Sequence, residues 1–389
     1  MKLDVTIARY AEGGRAVNRP LTIGVEEEFF AVDPHTRQLL TDTRALLNSP
    51  YLQQASDDGS SYSDELRSCM IESRTGICQS LKQLRTELCR LRGSLFQAGK
   101  ETGALLTAAG SFPLADWRLQ NFIPTPRNEY IAKTYARMAN EHVICACHVH
   151  VGLLDRDTAI QVMNRTRPWL PALCALSSSS PFWMGEDTGY ASYRTMIWER
   201  WPMAGIPPTF TSFDHYTEGV RLFIDTGTIA DAGQIYWDIR PGTKYQTIEF
   251  RVADSCTTID EIIVQAGLAR ALAQQCLDEL RQGLPGFDLR PELLRAGKWR
   301  AARFGLTDTL LDPVSTELLP AHVLVDRLLE YVRLPLQEAG DWDYITQLVA
   351  RAKSLGTSAD RQRRVFRRTN QLADVVDLLA SETATLSFE

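Results

Sequence analysis

Val143-Ile144-Cys145-Ala146-Cys147-His148-Val149-His150-Val151 is an apolar run interrupted twice by histidine. Successive side chains of a β-strand point to opposite faces, so residues two apart share a face. On that reading Val143, Cys145, Cys147, Val149 and Val151 form an apolar face, and His148 and His150 stand together on the other. The same spacing recurs in three more strand-like runs: Glu26-Glu27-Glu28, Asp238-Ile239-Arg240 and Glu249-Phe250-Arg251. In the last, Ile248, Phe250 and Val252 go one way, and Thr247, Glu249 and Arg251 the other. A sheet face lined with Glu, His, Asp and Arg is costly unless something binds there, and metal ions and phosphates match it.

Around these runs the pattern reads as mixed strands followed by helices. Leu21–Val32 is an expected strand closed by Asp33-Pro34. Leu81, Leu84, Leu88, Leu91 and Leu95 recur at steps of three and four, which predicts an amphipathic helix within Cys78–Lys100. Leu105–Ala109 is a short strand, Glu129–Asn140 a helix, and Val143–Leu154 the histidine strand. Asp157–Leu176 reads as helix, although Pro168 and Pro171 interrupt it. Ser177–Pro208 is loop-like and rich in Trp, Tyr, Gly and Pro, and Phe210–Thr226 returns to helix. Tyr236–Arg240 and Gln246–Val252 are strands whose five-residue link favours an antiparallel hairpin. Thr258-Ile259-Asp260-Glu261 is a capping box that opens a long helix ending near Gly283, and the remainder is mostly helical. The expected fold is α+β with an antiparallel sheet: a loose leader over residues 1–20 and one domain over residues 21–389.

The 389 residues are 44% hydrophobic and 23% charged, with a formal net charge of −6, which suits a core of ordinary depth. The acidic balance argues against a nucleic-acid binder or an anionic-membrane binder. The run Arg361-Gln362-Arg363-Arg364 with Arg367-Arg368 is read as a solvated helix face. There is no apolar segment of signal-peptide or membrane-span character. The eight cysteines form no CxxC pair, so buried thiols in a reducing cytoplasm are expected. Zinc at Cys145 and Cys147 is disfavoured, because alternation turns both away from the histidines.

Glu26 and Glu28 share a face with Gly24, whereas Ile23, Val25 and Phe29 share the other with Glu27 as the odd member. Paired carboxylates raise the cost of ionising each other, and a divalent cation removes that cost. Glu65 and Glu72 would add oxygen ligands. Such a site suits Mg²⁺ or Mn²⁺, and the histidines make Zn²⁺ tolerable. Arg194, Arg240 and Arg251 offer forked donors for phosphate or carboxylate. There is no Walker A sequence and no Rossmann fingerprint, so a nucleotide would lie on a sheet surface with its metals.

Gly24-Val25-Glu26-Glu27-Glu28-Phe29, Cys147-His148-Val149-His150-Val151-Gly152, Asp187-Thr188-Gly189-Tyr190-Ala191-Ser192, Trp237-Asp238-Ile239-Arg240-Pro241 and Ile248-Glu249-Phe250-Arg251-Val252-Ala253-Asp254 together resemble the YbdK-type carboxylate–amine ligases of the glutamate–cysteine ligase type 2 family. Trp299-Arg300-Ala301-Ala302-Arg303-Phe304-Gly305-Leu306 and Asp360-Arg361-Gln362-Arg363 fit as well. The resemblance implies a glutamine-synthetase-like fold: a curved antiparallel sheet around the active site, with helices outside. It implies ATP and Mg²⁺, with Glu26, Glu28, Glu72, His150 and Glu249 around the metals. Arg251, Arg240 and Arg194 would contact phosphate or substrate carboxylate, and Tyr190 and His148 would join Arg194 at the nucleotide. Two positions depart from the family pattern: Gly242, where relatives often carry serine, and Glu27, apolar in some relatives.

The reaction so implied joins an amino-acid carboxylate, with the γ-carboxylate of glutamate the leading choice, to an amine, cysteine by resemblance, through an acyl phosphate. Asp238 is the candidate acceptor of the amine proton, and residues 182–208, with Trp183, Trp198 and Trp201, are the candidate cover against water. The alternatives are a ligase with another amine acceptor, a metal-dependent hydrolase using Glu26, Glu28, His148 and His150, and a nucleotide sensor without turnover. A twofold homodimer is the default assembly.

Overall fold

The computed structural model describes residues 20–53, 59–153, 155–243, 245–287 and 289–386. Apart from Pro20, the expected leader lies outside them. Seven strands form the main sheet: β1 (Ile23–Val32), β2 (Ser61–Asp64), β3 (Met70–Arg74), β4 (Leu105–Thr107), β5 (Ala146–Gly152), β6 (Ile239–Pro241) and β7 (Thr247–Asp254). Their order is β6-β7-β5-β1-β3-β2, with β4 also paired to β1. Every pairing in this sheet is antiparallel. The expected hairpin is β6–β7.

Helices cover one face. Helix α1 (Leu81–Thr102) starts where the Ser80 side chain accepts the Gln83 N–H and stops at Gly103, whose φ of 73° suits glycine. Its five periodic leucines are all buried, each contributing about 1.5–3 kcal/mol. Helix α2 (Ile259–Arg281) opens with the expected Thr258–Glu261 capping box. Val25, Cys147, Val149, Val151, Ile248 and Phe250 pack under these two helices in one core with Leu81, Leu84 and Leu88.

The opposite face holds the polar residues, and it closes at one end. Phe30, on the same side of β1 as Gly24, Glu26 and Glu28, packs with Phe112, Met70, Val143 and Cys145 in a separate apolar cluster. That cluster plugs the sheet face just beyond Glu28.

Three readings are corrected. The histidine strand begins at Ala146, so Val143 and Cys145 join the plug, not the apolar face of β5. The helix expected over residues 157–176 breaks into Arg156–Thr166, a 3₁₀ turn at Arg167–Trp169 and Leu170–Leu176, because both prolines occupy helix-start positions where no amide is needed. The strand expected over residues 236–240 also splits. Tyr236–Trp237 pairs in parallel with Ala204–Gly205, and only Ile239–Pro241 joins the main sheet.

Candidate active site

The polar face lines a cavity of about 1070 Å³. Sheet register stacks its side chains. Glu26 lies opposite His148 on β5 and Arg74 on β3. Glu28 lies opposite Glu72. Across β7, Glu249 lies opposite both His150 and Arg240.

Two groups of ligand atoms result. Glu26, His150 and Glu249 form one, and Glu28, Glu65 and Glu72 the other, each with its atoms within 4.8 Å of one another. All five residues expected at metals fall in these groups, with Glu65 as the sixth. His148 lies between them, its Nδ1 3.2 Å from Glu26 Oε2 and its Nε2 3.9 Å from Glu28 Oε1. Arg74, which the sequence reading missed, pairs with Glu72 and sits 3.3 Å from Glu26.

The electrostatics differ along the cavity. In the inner group, burial first and the Glu65 carboxylate second push Glu28 up to about 8. Burial raises Glu65. Burial, then the charges of Glu26 and Glu65, hold Glu72 well above the usual carboxylate range. In the outer group, burial opposes ionisation of Glu26, but the adjoining imidazoles of His148 and His150, 3.2 and 3.5 Å away, outweigh it and leave its pKa low. Burial is likewise outweighed at Glu249 by the charges of Arg251 and Arg240. Burial, reinforced by Arg251, lowers His148 to about 4, whereas the Glu26 and Glu249 carboxylates overcome burial and raise His150. The Nε2 atoms of both histidines are buried without a hydrogen-bond partner. Three mutually repelling carboxyls and two unpartnered ring nitrogens fit divalent cations in a mixed oxygen and nitrogen site.

The arginines separate by partner. Arg240 Nε is 2.7 Å from Glu249, and Arg251 pairs with the same carboxylate. Arg194 lines the cavity while buried. Its Nη2 donates to the Arg251 carbonyl at 3.2 Å, its Nε has no partner, and the Asp254 carboxylate is 3.8 Å away. Arg194 therefore holds spare donors for an anion. The Trp198 ring lies 5.4 Å from its guanidinium carbon and 5.6 Å from that of Arg251, which steadies both cations.

The expected cover is part of the wall. Trp198 and Trp201 line the cavity and are buried, whereas Trp183 packs against Tyr193. His142, also missed, accepts the Trp201 indole N–H at 3.2 Å and lines the same wall.

Two expected site residues are elsewhere. Asp238 is not among the cavity-lining residues; it is 1% exposed and 2.5 Å from Lys298 Nζ on helix α3 (Pro291–Phe304). The strand break turns its side chain away, and only its carbonyl faces β7, accepting the Arg251 N–H at 2.7 Å. Tyr190 is held outside the cavity. Its carbonyl accepts from Arg363 on helix α4 (Ser358–Thr369) at 2.8 Å, and its hydroxyl from the Trp299 indole at 3.2 Å.

Comparison with known proteins fits this geometry. The family model described as Glutamate-cysteine ligase family 2 matches residues 22–377. A Frankia casuarinae protein named "Putative glutamate--cysteine ligase 2-2" is 42% identical over 94% of the chain, which spans 42% of that relative's length. A Mycolicibacterium smegmatis protein of the same name is 40% identical over 95% of the chain and 91% of its own length. Among solved structures, the glutamate–cysteine ligase of Francisella tularensis in complex with AMP superposes with a TM-score of 0.70 at 11% identity, covering 95% of the chain and 90% of that protein. A bifunctional glutathione synthetase from Pasteurella multocida gives 0.67 at 14% identity, covering 94% and 53%. The architecture is that of the glutamine-synthetase-like ligases.

Proposed function

The chain belongs to glutamate–cysteine ligase family 2, and on that premise we propose that it is an ATP-dependent carboxylate–amine ligase, with L-glutamate and L-cysteine as the leading substrates and γ-glutamylcysteine as product. One observation carries the reading: along β1, two groups of cation ligands lie in series, and the inner group adjoins the spare donors of Arg194. A polyphosphate and an acid substrate thus have adjoining sites. The cavity volume of about 1070 Å³ exceeds what a single small substrate fills, which favours a multi-substrate ligase over a hydrolase.

A carboxylate resists amine attack because its leaving group would be oxide. In the proposed reaction a substrate carboxylate oxygen attacks the γ-phosphorus of ATP, the bond to the β,γ-bridging oxygen breaks, and ADP departs. The amine nitrogen then attacks the acyl carbon of the acyl phosphate, and the carbon–oxygen bond to phosphate breaks. Starting from the ammonium form, one proton stays on the amide, one leaves with phosphate and one goes to water. Arg194 would grip the acid or the moving phosphoryl group, and Arg251, steadied by Glu249, would offset the charge that develops beside it. Mg²⁺, or Mn²⁺ in its stead, would be held by Glu26, His150 and Glu249 and by Glu28, Glu65 and Glu72, and supplies neutralisation of phosphate charge. The Asp238 ion pair with Lys298 argues against that residue as proton acceptor. The buried walls at Trp198 and Trp201 would keep water from the acyl phosphate.

The reading extends to one catalytic unit over residues 21–389, supported by a core that runs from Ile23 to Val349. It takes small-molecule partners only, a twofold homodimer and a cytoplasmic setting. All eight cysteines are free, which suits a reducing compartment, and no helix among the described residues is long and apolar enough to cross a membrane. Release of ADP from ATP, screened over acid and amine pairs with Mg²⁺ or Mn²⁺, tests the reading. ADP is expected only with acid and amine together, and ADP formation that needs neither points to a hydrolase.

A further inference from the structure

Asp254 closes β7 and is wholly buried. Arg194 lines the cavity and Asp254 does not, so its carboxylate lies behind the wall. A buried carboxylate is costly unless its oxygens find donors, and here they do. Oδ2 accepts the Ser179 N–H at 3.0 Å and the Ser180 hydroxyl at 2.7 Å, and Oδ1 accepts the Ser192 hydroxyl at 2.7 Å. Gly110 clears the space, because a Cβ there would lie 2.5 Å from the carboxyl carbon. The Gly110 N–H is tied in turn to Ser179 Oγ at 2.8 Å. Two of the sequence motifs, residues 187–192 and 248–254, thus meet at their last residues, Ser192 and Asp254.

Both hydroxyls pass the constraint on to Arg194. Ser180 Oγ accepts the Arg194 N–H at 3.0 Å. Ser192 caps the short helix Tyr193–Trp198 that carries Arg194, its Oγ accepting the Thr195 N–H at 3.3 Å. The far end of the side chain is held by β7 itself: Nη2 donates to the Arg251 carbonyl at 3.2 Å and Nη1 to the Val252 carbonyl at 3.5 Å. The Asp254 carboxylate stands 3.8 Å from Nη1, near enough to offset its charge and too far to take a hydrogen bond. Arg240 and Arg251 differ, since both engage Glu249 directly. A direct pair would consume donors of Arg194, whereas this arrangement leaves its Nε unpartnered.

We infer that Asp254 is a positioning residue for Arg194: through Ser180 and Ser192 it fixes the backbone that carries the arginine, and from outside hydrogen-bond range it balances the guanidinium charge without using its donors. The inference rests on the ligase reading above, in which Arg194 grips the acid or the moving phosphoryl group. A shift of about 1 Å in such a grip costs about a hundredfold in rate, so a group that never touches substrate can still control turnover.

Two variants separate the parts. Asp254→Asn can keep the Ser179 and Ser180 bonds on its amide oxygen and loses the charge, whereas Ser192→Ala cuts one hydroxyl relay and keeps the charge. Each is combined with Arg194→Gln in a double-mutant cycle read as kcat/KM for amide formation, and crystal structures of the two single variants locate the guanidinium. With Arg194 present, Asp254→Asn should lower kcat/KM at least about tenfold and Ser192→Ala about threefold; with Arg194→Gln in place, each should change it by less than about twofold. The Arg194 guanidinium should move by about 1 Å from the Arg251 and Val252 carbonyls. If Asp254→Asn does not fold, Ser192→Ala carries both measurements. Equal losses with and without Arg194, or a guanidinium that stays in place, would overturn the inference and leave Asp254 to the fold alone. A wild-type chain that forms no amide with any acid and amine pair, while the guanidinium still moves in the variants, would overturn the ligase reading and support the positioning.

Discussion

Glu27 and Arg92 form an ion pair of 2.7 Å in which both side chains are 2% exposed or less, on the helix-covered face of β1, opposite Glu26 and Glu28. The remaining Arg92 donors go to the backbone carbonyls of Cys256, Thr257 and Thr383. The middle glutamate of the triplet thus ties the sheet to α1 and the C-terminal helices. Glu27→Ala should strand a buried guanidinium and cost about 3–5 kcal/mol in denaturant unfolding, with little change in KM for ATP in the protein that remains folded. A loss below about 1 kcal/mol would contradict this structural role.

Glu28→Gln should separate chemistry from stability. Burial already favours the neutral carboxyl there, and a glutamine oxygen can still accept the Ala146 N–H that Glu28 accepts at 2.7 Å. The variant should melt within a few degrees of wild type without added metal and lose most of the stabilisation gained with Mg²⁺. ATP turnover should fall at least about a hundredfold. Near-normal turnover would remove Glu28 from the site.

Asp238 and Lys298 should behave as a structural pair. Lys298→Met alone leaves a buried carboxylate unpaired and should destabilise by about 3–5 kcal/mol. Lys298→Met with Asp238→Leu removes both charges and should recover much of that loss, together with a substantial fraction of kcat. A folded double variant without turnover would restore Asp238 to the reaction.

His142 should leave a mark on acid stability. Burial, aided by the charges of Arg194 and Arg67, lowers its pKa to about 3, against about 6.5 in an unfolded chain. Below about 6.5 the unfolded state therefore binds a proton that the folded state does not. Its contribution is fully present above that pH and is lost as pH falls toward 3. In His142→Asn, which can still accept the Trp201 N–H, the fall in unfolding free energy between pH 6 and 4 should be shallower by up to about 1.4 kcal/mol per pH unit. Parallel profiles would contradict it.

Much of this site was legible from period-two spacing. Glu26, Glu28, His148, His150 and Glu249 sit on regular strands, where alternation fixes the face and register brings them together. The rule failed at Asp238, because Trp237 pairs with Gly205 outside the main sheet and the alternation restarts at Ile239. A signal for its true partner existed: Lys298 interrupts the buried stripe Leu294, Gly297, Ala301 and Ala302 of α3, and a lysine there needs an anion. Tyr190 failed because Arg363, 173 residues away in sequence, holds its backbone. Arg74 was legible by the same rule, two residues after Glu72 on β3 and opposite Glu26, whereas His142 reaches the cavity from a turn before β5, through tertiary packing that no local pattern encodes.

The central claim is that this cavity activates an acid by moving phosphate onto it. L-glutamate labelled with oxygen-18 in its γ-carboxylate, turned over with L-cysteine, ATP and Mg²⁺, tests it most directly. The released phosphate should carry one labelled oxygen per amide formed. Amide formation with unlabelled phosphate, or phosphate release that takes its oxygen from water, would contradict the account.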